Sequence, residues 1–407
     1  MARVEITGVA AGGDGVGRTE SMVVFVPRTA IGDVAQVSLT KSKRFARGKL
    51  ESLDIASPDR VEPPCVHYVA DRCGGCQLQH IAYAAQLKAK GTIIADALRR
   101  IGRRDIGDVS VDASDAQWRY RRKLTLHLRR TNDGWIAGLH PYDDPVAVFD
   151  LRECPITEDR VLDVWREVRP AFDYLPREIA LRVAVRLLDA GAALVVEGGQ
   201  AWPTAERMFA AVPSLLELWW KPDGGRMRRV ASRTIESQGG ASFLQVNARV
   251  AEQLRNHVIT RARAYSPVRV VDAYAGAGGT AMPLATRGTT VIAIEYDAEA
   301  VARFESRLRA PSRAIVGKVE DHILQALPAD VVLLNPPRTG VDTRVTGALQ
   351  NVSSPPRAII YVSCDPATLA RDLSRMPRYR VASVRAFDMF PQTAHVETVC
   401  ELVPEVT

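Results

Sequence analysis

The sequence predicts an α/β protein with three parts: a small N-terminal β-barrel, a central α+β domain with a cysteine cluster, and a C-terminal doubly wound, Rossmann-like sheet. From residue 236 onward, apolar strand-like runs alternate with helical patterns. The first 57 residues contain short apolar runs separated by Gly, Pro and Asp, and four of the six cysteines lie between residues 65 and 154. A chain of 407 residues can form several domains. We expect boundaries giving domains 1–57, 58–235 and 236–407.

The N-terminal segment has the strand spacing of a small β-barrel. Strands are predicted over residues 23–26, 33–39 and 48–53, and the basic string KSKRFARGK at residues 41–49 joins the last two. This string is either a solvated hairpin or the cationic loop of an oligonucleotide-binding barrel. We favour the second interpretation, because small open barrels bind nucleic-acid strands through such loops.

Composition excludes some classes of protein. The net charge of +7 favours a polyanionic partner. No run of about 18 apolar residues is present, and the first residues lack the apolar stretch of a signal peptide. We therefore expect no membrane association, a cytoplasmic location and a monomer.

Four cysteines, Cys65, Cys73, Cys76 and Cys154, are candidate ligands of a metal centre. Disulfides are improbable in a chain without a secretion signal. Cys73 and Cys76 have the spacing that lets two thiolates bind one centre, whereas a four-cysteine zinc site usually uses two such pairs. Since the other two cysteines are single, we favour an iron–sulfur cluster over zinc. A thioredoxin-type pair is the third alternative, but no βαβ unit surrounds it.

The rest of the central domain offers one binding candidate. Apolar residues at helical intervals predict a surface helix over residues 81–101. Residues 118–123 (WRYRRK) interleave aromatic and cationic side chains, which suits either contacts with RNA or a strand edge kept soluble by charge. Residues 182–186 and 193–197 read as paired strands.

The C-terminal domain contains a nucleotide-type cofactor turn. The runs 268–272, 290–295, 330–334 and 358–362 are apolar throughout, as expected of parallel strands covered on both faces. The first is followed by a glycine-rich turn that includes Gly276, and Glu295 ends the second, where it can bind ribose hydroxyls. The turn alone does not separate nicotinamide cofactors from S-adenosylmethionine.

Three further residues point to chemistry at the same edge of the sheet. Asn335 precedes two prolines that stiffen its loop, a placement useful for fixing a planar base. Cys364 follows the last apolar strand, where a thiol is either an apolar filler or a nucleophile. Glu397 is a candidate base or a charged residue of an exposed edge strand. His395 would lie on the same strand face, although a packing role is favoured for it over catalysis.

As a set, these motifs resemble the RNA 5-methyluridine methyltransferases, which include TRAM-bearing, iron–sulfur ribosomal RNA enzymes and tRNA enzymes acting on the T-loop. The first segment resembles the TRAM domain, an RNA-binding barrel, through residues 13–18, 24–27 and 31–33. The other matching motifs are 73–80 (CGGCQLQH), 120–123, 154–155, 243–247 (FLQVN), the glycine turn, 336–340 (PPRTG), 363–366 (SCDP) and 388–397 (DMFPQTAHVE).

The resemblance implies a role for each candidate. Cys364 would be the nucleophile and Glu397 the base. The cofactor, S-adenosylmethionine, and the target base would be held by Gln245, Tyr274, Gly276, Glu295 and Asn335, and a 4Fe-4S cluster by Cys65, Cys73, Cys76 and Cys154. The implied substrate is 23S ribosomal RNA, with tRNA as the alternative. An NAD-linked oxidoreductase and an inactive RNA-binding or assembly protein remain open from the residues alone.

Overall fold

The N-terminal segment is a closed five-stranded barrel in the computed structural model, which describes residues 1–235, 239–240 and 245–405. Strands pair in the order β1-β2-β3-β5-β4 around small apolar side chains such as Val4, Val24 and Val37. The basic string forms the end of β4, a turn and the start of β5, and all its cations are exposed. The strands are β1 (Ala2–Val9), β2 (Gly15–Arg18), β3 (Val23–Val26), β4 (Val34–Lys41) and β5 (Phe45–Ile55).

The next segment connects the barrel to both other parts of the molecule. It contains α1 (Val66–Val69), α2 (Tyr83–Arg100) and the short β6 (Val111–Asp112). The helix predicted over residues 81–101 is therefore present. Its apolar face, with Ile94 and Leu98, packs into the core of the C-terminal sheet, because an 18-residue amphipathic helix must bury that face against a larger layer.

The central sheet has seven strands in the order β13-β12-β11-β10-β7-β8-β9. One face is covered by α3 (Asp159–Val168), a 3-10 helix (Arg169–Tyr174) and α4 (Ala205–Ala211). The predicted pairing of residues 182–186 with 193–197 is confirmed, since Arg182 lies opposite Glu197. The strands are β7 (Lys123–Thr131), β8 (Gly134–Leu139), β9 (Phe149–Asp150), β10 (Ala180–Leu187), β11 (Ala192–Glu197), β12 (Leu215–Lys221) and β13 (Arg228–Ser232).

The C-terminal sheet has eight strands in the order β16-β15-β14-β17-β18-β20-β19-β6. The first five of these are parallel, and β20 inserts antiparallel between β18 and β19. β6, from the segment before the central sheet, pairs with the outer side of β19. The remaining strands are β14 (Arg269–Ala273), β15 (Thr290–Glu295), β16 (Arg313–Val316), β17 (Val331–Leu334), β18 (Ala358–Ser363), β19 (Tyr379–Phe387) and β20 (Glu397–Pro404).

Helices cover both faces of this sheet, so the fold class expected from the sequence is confirmed. Along β14, Val270 faces one helical layer and Val271 the other, which explains why the parallel strands are apolar throughout. One layer contains α5 (Ala248–Ala264), α6 (Ala281–Leu284) and α7 (Ala298–Ala302); the other contains α2, α8 (Val319–Ala326), α9 (Thr343–Asn351) and α10 (Pro366–Ser374). A second 3-10 helix spans Glu305–Arg307.

The division of the chain at residues 57 and 235 remains a proposal, and the structure adds one qualification to it. Although α2 and β6 precede the central sheet in the sequence, both pack with the C-terminal sheet. Among the described helices, none combines the length and the apolar character needed to cross a bilayer.

Candidate active site

Four of the predicted cofactor and catalytic residues lie at the carboxyl ends of neighbouring parallel strands: Tyr274, Glu295, Asn335 and Cys364. Ala273 of β14 pairs with Ile294 of β15 and with Leu334 of β17. The residues that follow, Tyr274, Glu295 and Asn335, therefore lie side by side, and the backbone N–H of Asn335 donates to the carbonyl of Ala273 at 3.3 Å. Cys364 follows β18, the next strand in the sheet. This edge is where open α/β sheets bind ligands.

The glycine turn after β14 is shaped for close approach by a ligand. Gly276 has φ +56°, and a Cβ at this residue would project into open space with no heavy atom within 4 Å. Glu295 closes the turn from the next strand: its Oε2 accepts from the Gly276 N–H at 2.7 Å, and its Oε1 accepts from the Asp297 N–H at 2.8 Å. The carboxylate is thus held at the turn with lone pairs left for ribose hydroxyls.

Asp272, which the sequence analysis did not single out, lies beneath this turn. Its carboxylate is buried and accepts from the Thr280 hydroxyl at 2.6 Å. Burial, together with the charge of the nearby Glu295, raises the pKa of Asp272 to about 7. The sequence feature that could have identified Asp272 is its position as the penultimate residue of an apolar strand that leads into a glycine turn. Tyr274 has φ +65°, an unusual backbone conformation for a residue with a side chain, and it packs against the core of the sheet.

Cys364 and Glu397 lie next to each other on paired strands. Ser363 of β18 pairs with Thr398 of antiparallel β20, so the following residue, Cys364, comes beside the preceding one, Glu397. Glu397 is only 6% exposed. Because β20 lies between two other strands, Glu397 is not on an exposed edge strand, and that alternative interpretation is wrong.

The electrostatics of this pair are set by burial and by one arginine. Burial raises the pKa of Glu397 to about 7, even though the charge of Arg338 opposes the rise. Burial and the charge of Glu397 raise the pKa of Cys364, whereas the positive charge of Arg338 lowers it. Arg338 is thus the cation shared by the thiol and the carboxyl.

The position of Arg338 beside Cys364 and Glu397 was not predicted from the sequence. It belongs to the Asn335-Pro-Pro-Arg338 loop after β17, and the strand order places that loop beside β18. The loop is anchored from α10: Thr368 donates to the carbonyl of Arg338 at 3.2 Å and Arg371 to that of Thr339 at 2.8 Å.

His395 lies near the pair but not as expected. It precedes β20 in a loop, so the prediction that it shares a strand face with Glu397 is wrong. Its ring packs edge-on against Phe390 with centroids 5.9 Å apart. Burial, together with the charge of Arg338, lowers the pKa of His395 to about 4. A neutral, packed imidazole agrees with the packing role favoured from the sequence.

Two predicted pocket residues, Asn335 and Gln245, have fewer described contacts at the site than Tyr274 and Glu295 have. Asn335 is exposed at the end of β17. Gln245 is half-buried, three residues before α5, and no described side-chain hydrogen bond connects it to Tyr274, Glu295 or Asn335. Phe243 and Leu244 of its motif lie outside the described residues. The neighbouring Asn247 caps α5 by accepting from the Val250 N–H at 3.3 Å.

The four candidate ligand cysteines share one buried region. Cys65, Cys73 and Cys76 are 6–7% exposed, Cys154 is half-buried, and none of the four forms a disulfide. Burial is the main cause that raises the pKa of Cys76, and the charges of Cys154, Cys73 and Cys65 also raise it. The four thiols are therefore close enough to affect one another. Within the described part of the chain, however, no three His, Cys, Asp or Glu side chains have the arrangement of a metal-ion site. The structure therefore does not confirm the predicted cluster.

Comparison with known proteins defines the family. The family model for tRNA (uracil-5-)-methyltransferase matches residues 312–403, and the TRAM domain model matches residues 2–50. An uncharacterized RNA methyltransferase of Thermosynechococcus vestitus is 34% identical over 96% of this chain and 95% of its own length. The chain belongs to the RNA (uracil-5-)-methyltransferase family. A second family member, an uncharacterized RNA methyltransferase of Protochlamydia amoebophila, is 30% identical over 98% of this chain and 96% of its own length.

A solved structure shows that the whole fold is shared within this family. The Pyrococcus abyssi tRNA (uracil-54, C5)-methyltransferase in complex with S-adenosyl-L-homocysteine superposes with a TM-score of 0.73. The match covers 98% of this chain and 99% of that structure at 23% identity. The resemblance inferred from the motifs is confirmed for the family and the TRAM barrel but not for the iron–sulfur type. Family membership argues against the NAD-linked oxidoreductase.

Proposed function

We propose that this protein transfers a methyl group from S-adenosylmethionine to carbon 5 of one uridine in RNA, through a covalent bond between Cys364 and carbon 6. The observation that carries the proposal is that Cys364 and Glu397 directly adjoin the paired residues Ser363 and Thr398, with Arg338 acting on both, at the same sheet edge as the glycine turn. The reaction requires a thiol nucleophile within reach of carbon 6 and a carboxyl base within reach of the proton on the adjacent carbon 5.

The chemistry explains both residues. Carbon 5 of uracil is a poor nucleophile, and addition of the Cys364 thiolate to carbon 6 converts the ring into an enolate. Its carbon 5 would attack the methyl group as the bond from that methyl to the sulfonium sulfur breaks, leaving a neutral thioether. The Glu397 carboxylate then removes the carbon 5 proton, and the electrons of that C–H bond expel the thiolate. With a pKa of about 7, Glu397 is a base matched to neutral pH.

The cofactor edge fits S-adenosylmethionine, which supplies the methyl group. The open space above Gly276 admits a ligand close to the backbone, and Glu295 presents a fixed carboxylate for the ribose. Tyr274 and Asn335 would border the same pocket from β14 and β17. Family membership supports this assignment, as does the S-adenosyl-L-homocysteine in the Pyrococcus abyssi structure.

A 4Fe-4S cluster on Cys65, Cys73, Cys76 and Cys154 is part of the proposal. Four reduced thiols shielded from water are the donor set that such a cluster requires, and Arg28 lies beside them as a countercharge. Thiolates that bind different irons of a cluster lie further apart than thiolates around one metal ion. The cluster is therefore proposed from the chemistry of the four thiols, because no single-ion arrangement is found among the described residues. The structural role of the cluster would be to join Cys154 to the loop that carries the other three cysteines, far earlier in the chain.

For the substrate, we propose 23S ribosomal RNA, because the TRAM barrel and the four cysteines are features of the ribosomal RNA enzymes that the motifs resemble. Transfer RNA is the second candidate, supported by the name of the matching family model and by the Pyrococcus abyssi enzyme. The exposed barrel cations Lys41, Lys43 and Arg44 would hold RNA phosphates. The half-buried Arg121 and Arg122 would contribute from the central domain. A cytoplasmic location belongs to the same proposal.

Covalent trapping tests the mechanism. Wild-type protein incubated with S-adenosylmethionine and RNA containing 5-fluorouridine should form a complex that survives a denaturing gel, since fluorine cannot leave as a proton does. Cys364→Ala should form none. Glu397→Gln should form the complex with ordinary RNA and stall after methyl transfer. If neither the fluorinated RNA nor the Glu397 variant gives an adduct with RNA that the wild type methylates, the covalent mechanism is wrong.

Two further experiments test the remaining parts. Protein purified without oxygen should be brown and contain about four irons per chain; colourless protein with one zinc would contradict the cluster. Mapping 5-methyluridine in RNA from cells with and without the gene should show a site lost from 23S ribosomal RNA, whereas a site lost from tRNA would favour the second candidate.

A further inference from the structure

A fully buried ion pair links α2 to the segment that leads into Glu397. Lys90 and Asp388 have no exposed side-chain surface, and the Lys90 Nζ lies 2.5 Å from the Asp388 Oδ1. The same ammonium donates to the backbone carbonyl of Phe390 at 3.1 Å. Asp388 and Phe390 begin the connection between β19 and β20, residues 388–396, which we term the base loop.

A second contact from the same helix face holds the middle of the base loop. Gln86 lies one turn before Lys90 and exchanges two hydrogen bonds with Gln392: its amide donates to the Gln392 Oε1 at 2.9 Å, and its own Oε1 accepts from the Gln392 N–H at 3.1 Å. Gln392 has φ +70°, a backbone conformation that the surrounding contacts must maintain.

The segment around the cysteines completes this support. The N–H groups of Gln77 and Leu78 donate to the Gln392 carbonyl at 3.1 and 3.0 Å. The hydroxyl of Tyr120 donates to the Pro391 carbonyl at 3.0 Å. The base loop is thus held at consecutive backbone groups by residues that lie far from it in the sequence.

Stability alone does not account for Lys90. Replacing a buried ion pair by apolar residues of similar volume is often neutral or stabilising, because two charges need not then be removed from water. What an apolar pair cannot provide is a directional bond to the Phe390 carbonyl. That bond and the contact with Asp388 fix the path of the chain from β19 to the first residue of β20, Glu397.

We propose that Lys90 is a positioning residue for the proton-abstraction step. By holding Asp388 and the Phe390 carbonyl, it aligns the base loop so that the Glu397 carboxylate meets the proton on carbon 5 of the methylated adduct. The described bonds of Lys90 go only to Asp388 and to the Phe390 carbonyl of the base loop, which leads into Glu397, so its effect should appear at the step that uses Glu397. This inference rests on the function proposed above.

The test compares three variants of the full-length protein. Lys90→Met removes the cation, and the double variant Lys90→Met with Asp388→Leu removes both charges, so that no unpaired buried charge destabilises the fold. Lys88→Met is the matched control, since Lys88 is exposed on the same helix and forms no described ion pair. For each we would measure the KM for RNA, kcat, adduct formation with 5-fluorouridine RNA and the amount of covalent complex with ordinary RNA.

Both Lys90 variants should form the fluorouridine adduct at the wild-type rate and accumulate covalent complex with ordinary RNA. Their kcat should fall about 10- to 100-fold, as a misplaced reacting group implies, with KM changed less than about twofold. Lys88→Met should match the wild type. Should the folded double variant keep the wild-type kcat, or lose adduct formation and turnover equally, Lys90 is structural and the inference is wrong. A wild type without a fluorouridine adduct would instead refute the proposed function.

Discussion

Replacing Glu397 by glutamine should stabilise the protein at pH 8 far more than at pH 5. Burial raises the pKa of this carboxyl from 4.5 to about 7. In the unfolded chain it ionises near its ordinary value, so between these two values the folded state retains a proton that the unfolded state has lost. Stability therefore falls as the pH rises through this window, and the full loss is present above pH 7.

The magnitude follows from the size of the shift. Each pKa unit corresponds to about 1.4 kcal/mol, so ionising Glu397 in the folded state costs about 3 kcal/mol at pH 8. At pH 5 the carboxyl is largely but not fully ionised in the unfolded chain and almost fully protonated in the folded protein. The loss of stability at this pH is therefore about 1 kcal/mol. Glutamine has nearly the same shape and no charge, so it removes this cost without leaving a cavity.

Urea unfolding of the wild type and Glu397→Gln at both pH values measures the difference directly. Glu252→Gln, at an exposed position on α5, is the matched control and should change stability by less than about 0.5 kcal/mol at either pH. If Glu397→Gln gave the same gain at pH 5 and pH 8, the gain would not come from ionisation, and Glu397 would not be the strained base that its burial indicates.

Three further predictions follow from the site and the barrel. Gly278→Ala should weaken S-adenosylmethionine binding at least about tenfold by calorimetric titration, because φ is +75° and the new Cβ would lie 2.5 Å from the Phe304 ring. The control Gly279→Ala should lose less affinity, because its Cβ would lie 3.4 Å from the nearest atom. In Glu397→Gln, loss of the neighbouring negative charge should lower the pKa of Cys364, so the adduct with 5-fluorouridine RNA should form at lower pH than in the wild type; an unchanged pH profile would contradict this. The triple alanine variant of the exposed barrel cations Lys41, Lys43 and Arg44 should reduce the slope of log affinity for RNA against log salt concentration by about 2 to 3. Cofactor binding should not change. The control Arg3→Ala removes a cation that is already paired with an aspartate, so its effect on the slope should be smaller.

The strands that could be predicted from the sequence are those whose burial is visible locally. Runs such as residues 290–295 and 358–362 are apolar on both faces, and this pattern exists only where helices cover both sides of a sheet. Cys364 and Glu295 could be predicted for the same reason, since each directly follows or ends such a run at the ligand edge.

The residues that could not be predicted depend on pairing across long stretches of sequence. Nothing near Glu397 indicates that its strand inserts between β18 and β19, so an exposed edge strand was a reasonable alternative for a charged residue. Periodicity likewise predicted α2 but not its partner, and Lys90 looks like a surface lysine until the helix is docked on the C-terminal sheet. The cysteines illustrate a third limit: spacing indicates a shared centre but not the arrangement of the four sulfurs.

Arg338 explains how two groups that need negative charge can share one small site. The thiolate of Cys364 and the carboxylate of Glu397 repel each other, and Arg338 lowers the pKa of both, yet one cation fully compensates only one anion at a time. In the proposed reaction the two anions are needed in succession. When Cys364 bonds to carbon 6 its negative charge passes to the uracil ring, and after methyl transfer that charge is neutralised. Arg338 is then left to stabilise the ionised Glu397 at the step where this carboxylate must accept the proton from carbon 5. The order of the chemistry therefore removes the electrostatic conflict that is present in the free protein.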